Sequence, residues 1–182
     1  GLELTGDDAC PVRLVKVSPP KLGENIPSEV LAEISVDLKH CGDKIRKEWD
    51  SIGEFDNLFL LGVDANSMEG GPISMLDEST GDGRPIADED DVTFPKRTGI
   101  IAVRGCMVLE VRDEDGNILS DRSNERETRD KPTKSHKRLF KVALDPAQYA
   151  SDATGRGSPL GTKVYQTLNV IVRRHGKENN FK

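Results

Sequence analysis

Aromatic side chains make up only 4% of this 182-residue chain, and its three cysteines, Cys10, Cys41 and Cys106, show no C-x-x-C spacing. An odd, scattered set excludes a secreted disulfide framework and a zinc ribbon or finger, both of which need paired thiols. Reduced thiols in an intracellular protein are the expectation. No apolar run approaches the roughly 18 residues of a membrane-spanning helix. The first residues lack the basic and apolar regions of a leader, and no Asn-x-Ser/Thr sequon occurs. No G-x-x-x-x-G-K-[ST] run is present to wrap backbone N–H groups around phosphates; Gly81-Asp82-Gly83 and Gly155-Arg156-Gly157 lack the lysine. With 35% hydrophobic and 32% charged residues and a net charge of −6, the chain can build one core only if parts of it stay outside. Lacking an initial Met, it is expected to be a segment of something longer.

What is present is alternation with period two. Val30, Ala32, Ile34, Val36 and Leu38 share one face of a half-buried strand. Val12, Leu14, Val15 and Val17 make a shorter strand that should stop at Pro19-Pro20, since proline donates nothing to a ladder. Leu58–Val63 reads as a buried strand, 98–112 as one long strand bent at Gly105, and 139–144 as another. Val164–Val172 alternates most strongly and reads as strand throughout. Asp113-Glu114-Asp115-Gly116-Asn117 is a turn, because these residues tolerate the backbone of a hairpin reversal.

Two short helices complete the pattern. Cys41, Ile45, Trp49 and Ile52 recur every three or four residues, which predicts about three turns. Asp145-Pro146 supplies an N-cap and a first-turn proline for a helix through Tyr149. Two segments, 64–97 and 120–135, are polar and without periodicity, and are expected to be disordered loops, the first strongly acidic. Six or seven strands with no βαβ rhythm define an all-β fold: an antiparallel six- to seven-stranded β-barrel with one or two short helices and a long acidic loop. The expected limits are a flexible segment 1–11, the barrel 12–176, and 177–182 as the start of a connection to the next domain. Trp49 should anchor the first helix to the barrel end.

Chemistry is sparse. Asp113, Asp115 and Asn117 alternate like calcium ligands, but Gly116 is misplaced and the twelfth position is Asn124, so a plain turn is favoured. His40 and Cys41 with Cys106 or His136 match no ligand spacing and read as buried thiols and surface histidines; no metal and no catalytic residue is expected. Arg104 within a strand either faces solvent or is paired internally; an internal pair is favoured, with a partner that spacing does not name. The acidic cluster Asp88-Glu89-Asp90-Asp91 reads as a solvated loop, with docking of a basic partner as the alternative. Lys131, Lys134, His136, Lys137, Arg138 and Lys141 run without an acid, and Arg173-Arg174-His175-Gly176-Lys177 forms a second basic patch. Such patches hold phosphates by charge and counterion release. Lys137, Arg138, Lys141, Arg173, Arg174 and Lys177 are the candidate phosphate contacts, while the net charge of −6 favours a plain solvated surface as the alternative.

Several stretches read together carry a family resemblance: Gly23-Glu24-Asn25-Ile26-Pro27, Ile45-Arg46-Lys47-Glu48-Trp49 followed by Phe59-Leu60-Leu61, Val103-Arg104-Gly105-Cys106, and Leu144-Asp145-Pro146-Ala147-Gln148-Tyr149. The run from Val164 through Arg174 to Lys182 adds to them. In this order and spacing they resemble the Aquarius family of spliceosomal intron-binding RNA helicases, of helicase superfamily 1. The resemblance implies a β-barrel carried ahead of the motor core in a nuclear, ATP-hydrolysing parent. It implies spliceosomal proteins, the parent's other domains and intronic RNA as partners, with no membrane and no DNA. The ATPase motifs are not in this chain, so it implies a non-catalytic accessory domain without a cofactor. Such a domain positions or regulates the motor and touches RNA phosphates, or, as the alternative, docks spliceosomal proteins without direct RNA contact.

Overall fold

The computed structural model describes residues 2–3, 12–64, 66, 98–119 and 135–173. The expected disorder of 64–97 and 120–135, apart from their outermost residues, and the expected connection 177–182 lie outside the described residues. Seven strands form one antiparallel sheet: β1 Leu2–Glu3, β2 Val12–Pro20, β3 Pro27–Asp37, β4 Asn57–Val63, β5 Ile100–Arg112, β6 Lys137–Leu144 and β7 Val170–Arg173. Their lateral order is β1-β7-β4-β5-β6-β3-β2. Helix α1 Asp43–Asp50 joins β3 to β4, and α2 Pro146–Ala153 with a 3-10 helix Gly161–Gln166 joins β6 to β7.

Leu31 on the other face of β3 is buried, while the inward face is as expected: Val30, Ala32, Ile34, Val36 and, just past the strand's end, Leu38 are all at most 1% exposed. They meet Phe140, Val142 and Leu144 from β6, Leu58 and Leu60 from β4, and Cys106 and Val108 from β5 in one core. Each fully buried side chain of this size contributes about 1.5–3 kcal/mol of transfer free energy. Trp49 is buried against Phe140 in an edge-to-face pair with centroids 6.2 Å apart, which ties α1 to the end of the sheet.

The sheet does not close among the described residues: β2 and β1 lie at opposite ends of the strand order. The mainly β, antiparallel architecture is as expected, and its described strands form an open sheet. Where a closing strand would be expected, the 3-10 helix leading to β7 packs against β2 and puts Val164 and Tyr165 into the core. β2 is an edge strand and ends at Pro19-Pro20 as expected, with Pro20 in register with Pro27; an edge tolerates prolines that donate nothing to a ladder.

Four expectations are corrected. The run 164–172 is not one strand: Val164 and Tyr165, adjacent in sequence, are both buried, which a strand facing one core cannot do but a tight helical turn can. β7 begins only after Asn169, whose side-chain amide exchanges two hydrogen bonds with the Val63 backbone, at 2.8 and 2.9 Å. Helix α1 has two turns, and Ile45 is exposed. The irregularity in β5 is not a bulge at Gly105, which pairs regularly with Phe59; the ladder slips at Leu109. The inward residues Cys106 and Val108 are followed by Val111, and that odd step needs one extra residue. Finally, α2 runs four residues past Tyr149, with Asp145 capping Ala147 and Gln148 N–H groups as expected.

Candidate functional site

β5 turns its even-numbered residues inward, which carries the Arg104 guanidinium into the interior at 8% exposure. Its partner is Asp152 on α2, fully buried. Nε donates to Oδ2 at 2.8 Å and Nη2 to Oδ1 at 2.7 Å, a bidentate pair. Gln148, one turn earlier on α2, donates to Oδ1 at 3.2 Å, and Tyr165 from the 3-10 helix donates its hydroxyl to Oδ2 at 3.0 Å. Burial and that bond to a carboxylate push the Tyr165 hydroxyl pKa well above its ordinary value. Four donors occupy the roughly four lone-pair sites of a carboxylate. The cluster therefore has no open position for a substrate or a transferable proton, and it works as a joint between β5, α2 and the 3-10 helix. Gly157 closes over it, because a Cβ there would stand 2.5 Å from Asp152 Oδ1 and 2.8 Å from Gln148 Nε2.

The candidate phosphate contacts are not brought together as one patch. Arg138 turns inward at 3% exposure; its Nε and Nη2 bond Asp50 Oδ1 at 3.0 and 2.8 Å, and Nη1 donates to the Ser135 and Lys137 carbonyls. It fastens β6 to α1. Arg173 donates through Nη1 to the Glu48 carbonyl at 3.0 Å and Ser51 Oγ at 2.7 Å, and reaches Asp56 through Nη2. It fastens β7 to the end of α1. Lys141 stands in lateral register between Glu33 of β3 and Glu110 of β5, and Lys137 is half-buried at the start of β6. Arg174 and Lys177 lie outside the described residues.

Burial alone raises the Cys106 thiol to about 12, so at neutral pH it is an inert core residue. Asp113 accepts from the Asp115 and Asn117 N–H groups and from the Asn117 side chain. These bonds hold its carboxyl below the usual range, the Asn117 side chain first, and make the segment the turn expected. Among the described residues no three His, Cys, Asp or Glu side chains gather as metal ligands. Asp152 and Tyr165 were missed in the sequence reading. The buried Arg104 asked for an acid, but nothing in the spacing distinguishes Asp152 from the other 31 acids.

An open antiparallel sheet with two short helices, tied by internal arginine–aspartate pairs, defines a β-barrel-like domain. The chain belongs to the family described as the intron-binding protein aquarius, β-barrel, whose model matches residues 9–174. It is 33% identical over 169 residues to the RNA helicase aquarius of Mus musculus. That match covers 93% of this chain and 10% of the relative, so the chain spans about a tenth of the relative's length.

Proposed function

We propose that this chain is the non-catalytic β-barrel of an ATP-dependent RNA helicase that acts in pre-mRNA splicing in the nucleus, and that it positions the motor through protein contacts. The family match over 9–174 carries the first part of this reading. Support for the second comes from the arginines: Arg138 and Arg173 hold α1 onto the sheet, so their charge is neutralised or bonded inside the fold. The partners are the parent's other domains and neighbouring spliceosomal proteins. The second reading, direct contact with intronic RNA phosphates, rests on Lys137, Lys141, Arg174 and Lys177.

The test is removal of this domain from the parent helicase. ATP hydrolysis should survive and incorporation into spliceosomes should fall. Unchanged incorporation and splicing would refute the reading.

A further inference from the structure

The outer face of the sheet divides in two. Across β2, β3, β6 and the last part of β5, Arg13, Glu33, Lys141 and Glu110 form a lateral row of alternating charge, with Arg13 ion-paired to Glu33 and Arg112 to Glu110. That half is neutralised by its own neighbours. Across β7, β4 and the first part of β5 the same face is apolar. Phe59 stands between Val172 and Gly105, and Leu61 between Val170 and Val103. Ile101 and Val103 are 45% and 47% exposed.

Gly105 lies at the centre of the apolar half. Glycine weakens a strand interior, and its usual reasons are a bulge, a bend, or the close approach of another backbone or ligand. The ladder is regular at Gly105, which removes the bulge. A Cβ there would meet nothing within 4 Å, so no neighbour within the fold demands the small residue. What the missing side chain leaves is a shallow groove floored by Gly105, walled by Phe59, Val103 and Met107, and ended by Ala143 and Pro146. The unpaired charge on its rim is acidic. Asp145 is exposed at the α2 N-cap with no cation paired to it among the described residues, while Glu29 beside it is neutralised by its ion pair with Lys16. Arg104 faces away, onto Asp152.

We propose that this groove seats an apolar side chain of a protein segment that carries lysine or arginine beside it. The Asp145 carboxylate, the one on the rim without a paired cation among the described residues, would attract such a segment and would repel an RNA backbone. This inference goes beyond the helicase reading, because it depends only on the groove and its rim.

The test is titration of the isotope-labelled 182-residue chain with a peptide alternating Leu and Lys, a peptide alternating Leu and Glu, and oligouridylate, followed by amide chemical shifts. Shifts centred on Gly105, Phe59 and Met107 are expected with the Leu–Lys peptide alone. Gly105→Leu fills the groove and should weaken binding by about tenfold, the worth of one buried apolar side chain. Gly105→Ala should lose less, and Asp145→Asn, which keeps the N-cap, should flatten the salt dependence. Undiminished binding by a folded Gly105→Leu chain would overturn the proposal, as would shifts elsewhere or no shift with either peptide. Equal binding of the Leu–Glu peptide, or oligouridylate moving the same amides, would overturn the chemistry of the occupant. Self-association that Gly105→Leu abolishes would replace the peptide by a second copy.

Discussion

Replacing Asp152 by alanine removes one acceptor and leaves three donors in the interior. Arg104, at 8% exposure, loses both of its carboxylate bonds, and Tyr165 and Gln148 lose one each. Breaking a buried ion pair from one side costs about 3–5 kcal/mol, because the remaining charge stays desolvated and uncompensated. A stranded buried hydroxyl adds about 1–3 kcal/mol where no water reaches it. Against a total stability of about 5–15 kcal/mol, this substitution removes a large share. For a chain of this size the midpoint of thermal unfolding should fall by roughly 10–30 °C. Urea unfolding followed by Trp49 fluorescence is the assay, with the slope unchanged and the midpoint lowered. The paired replacement Arg104→Met with Asp152→Leu removes both charges and should recover at least half of the loss. A cost below about 1 kcal/mol for Asp152→Ala would refute the claim that this cluster joins β5, α2 and the 3-10 helix.

Gly157→Ala places a methyl against Asp152 and should destabilise by about 1–3 kcal/mol, shrinking in the Asp152→Ala background where the blocking atom is gone; additive costs in urea unfolding would contradict the contact. The folded-state pKa of Asp113 is depressed, so its stabilisation is complete above the ordinary aspartate value of about 4 and is lost as pH falls through the lower folded value. The stability gap between the native chain and Asp113→Asn should therefore narrow on acidification, measured by unfolding at stepped pH. With its thiol at about 12, Cys106 should escape alkylation at pH 8 in the native chain and react once the chain is unfolded, as read by peptide mass.

How far the sequence spoke for the fold depended on whether one element's own pattern was decisive. β3 was legible because its alternation faces a single core, and α2 because Asp145-Pro146 is a complete start signal. The 164–172 run misled because its two-residue alternation also fits a tight helical turn followed by a strand, and only the packing against β2 decides between them. The open edge, and with it the tolerance of Pro19 and Pro20, is a property of strand order, which no local pattern encodes. The basic runs misled in a related way. Arg138 and Lys137 are neighbours in sequence, yet in β6 they point to opposite faces, and the inward one meets Asp50, 88 residues earlier. Arg104 was recognised as an internal charge, while its partner is set by how α2 folds back.

Positioning through proteins rather than a grip on phosphates is tested most directly by binding of the 182-residue chain to a fluorescent single-stranded RNA across a salt series. Each neutralised phosphate contributes about 0.7 to the log–log slope for a single strand. With Arg138 and Arg173 committed to the fold, weak binding with a slope shallower than about 1.5 is predicted, no more than two phosphates' worth. Affinity at physiological salt with a slope steeper than about 3 would contradict it, and would require the basic runs to act together on RNA.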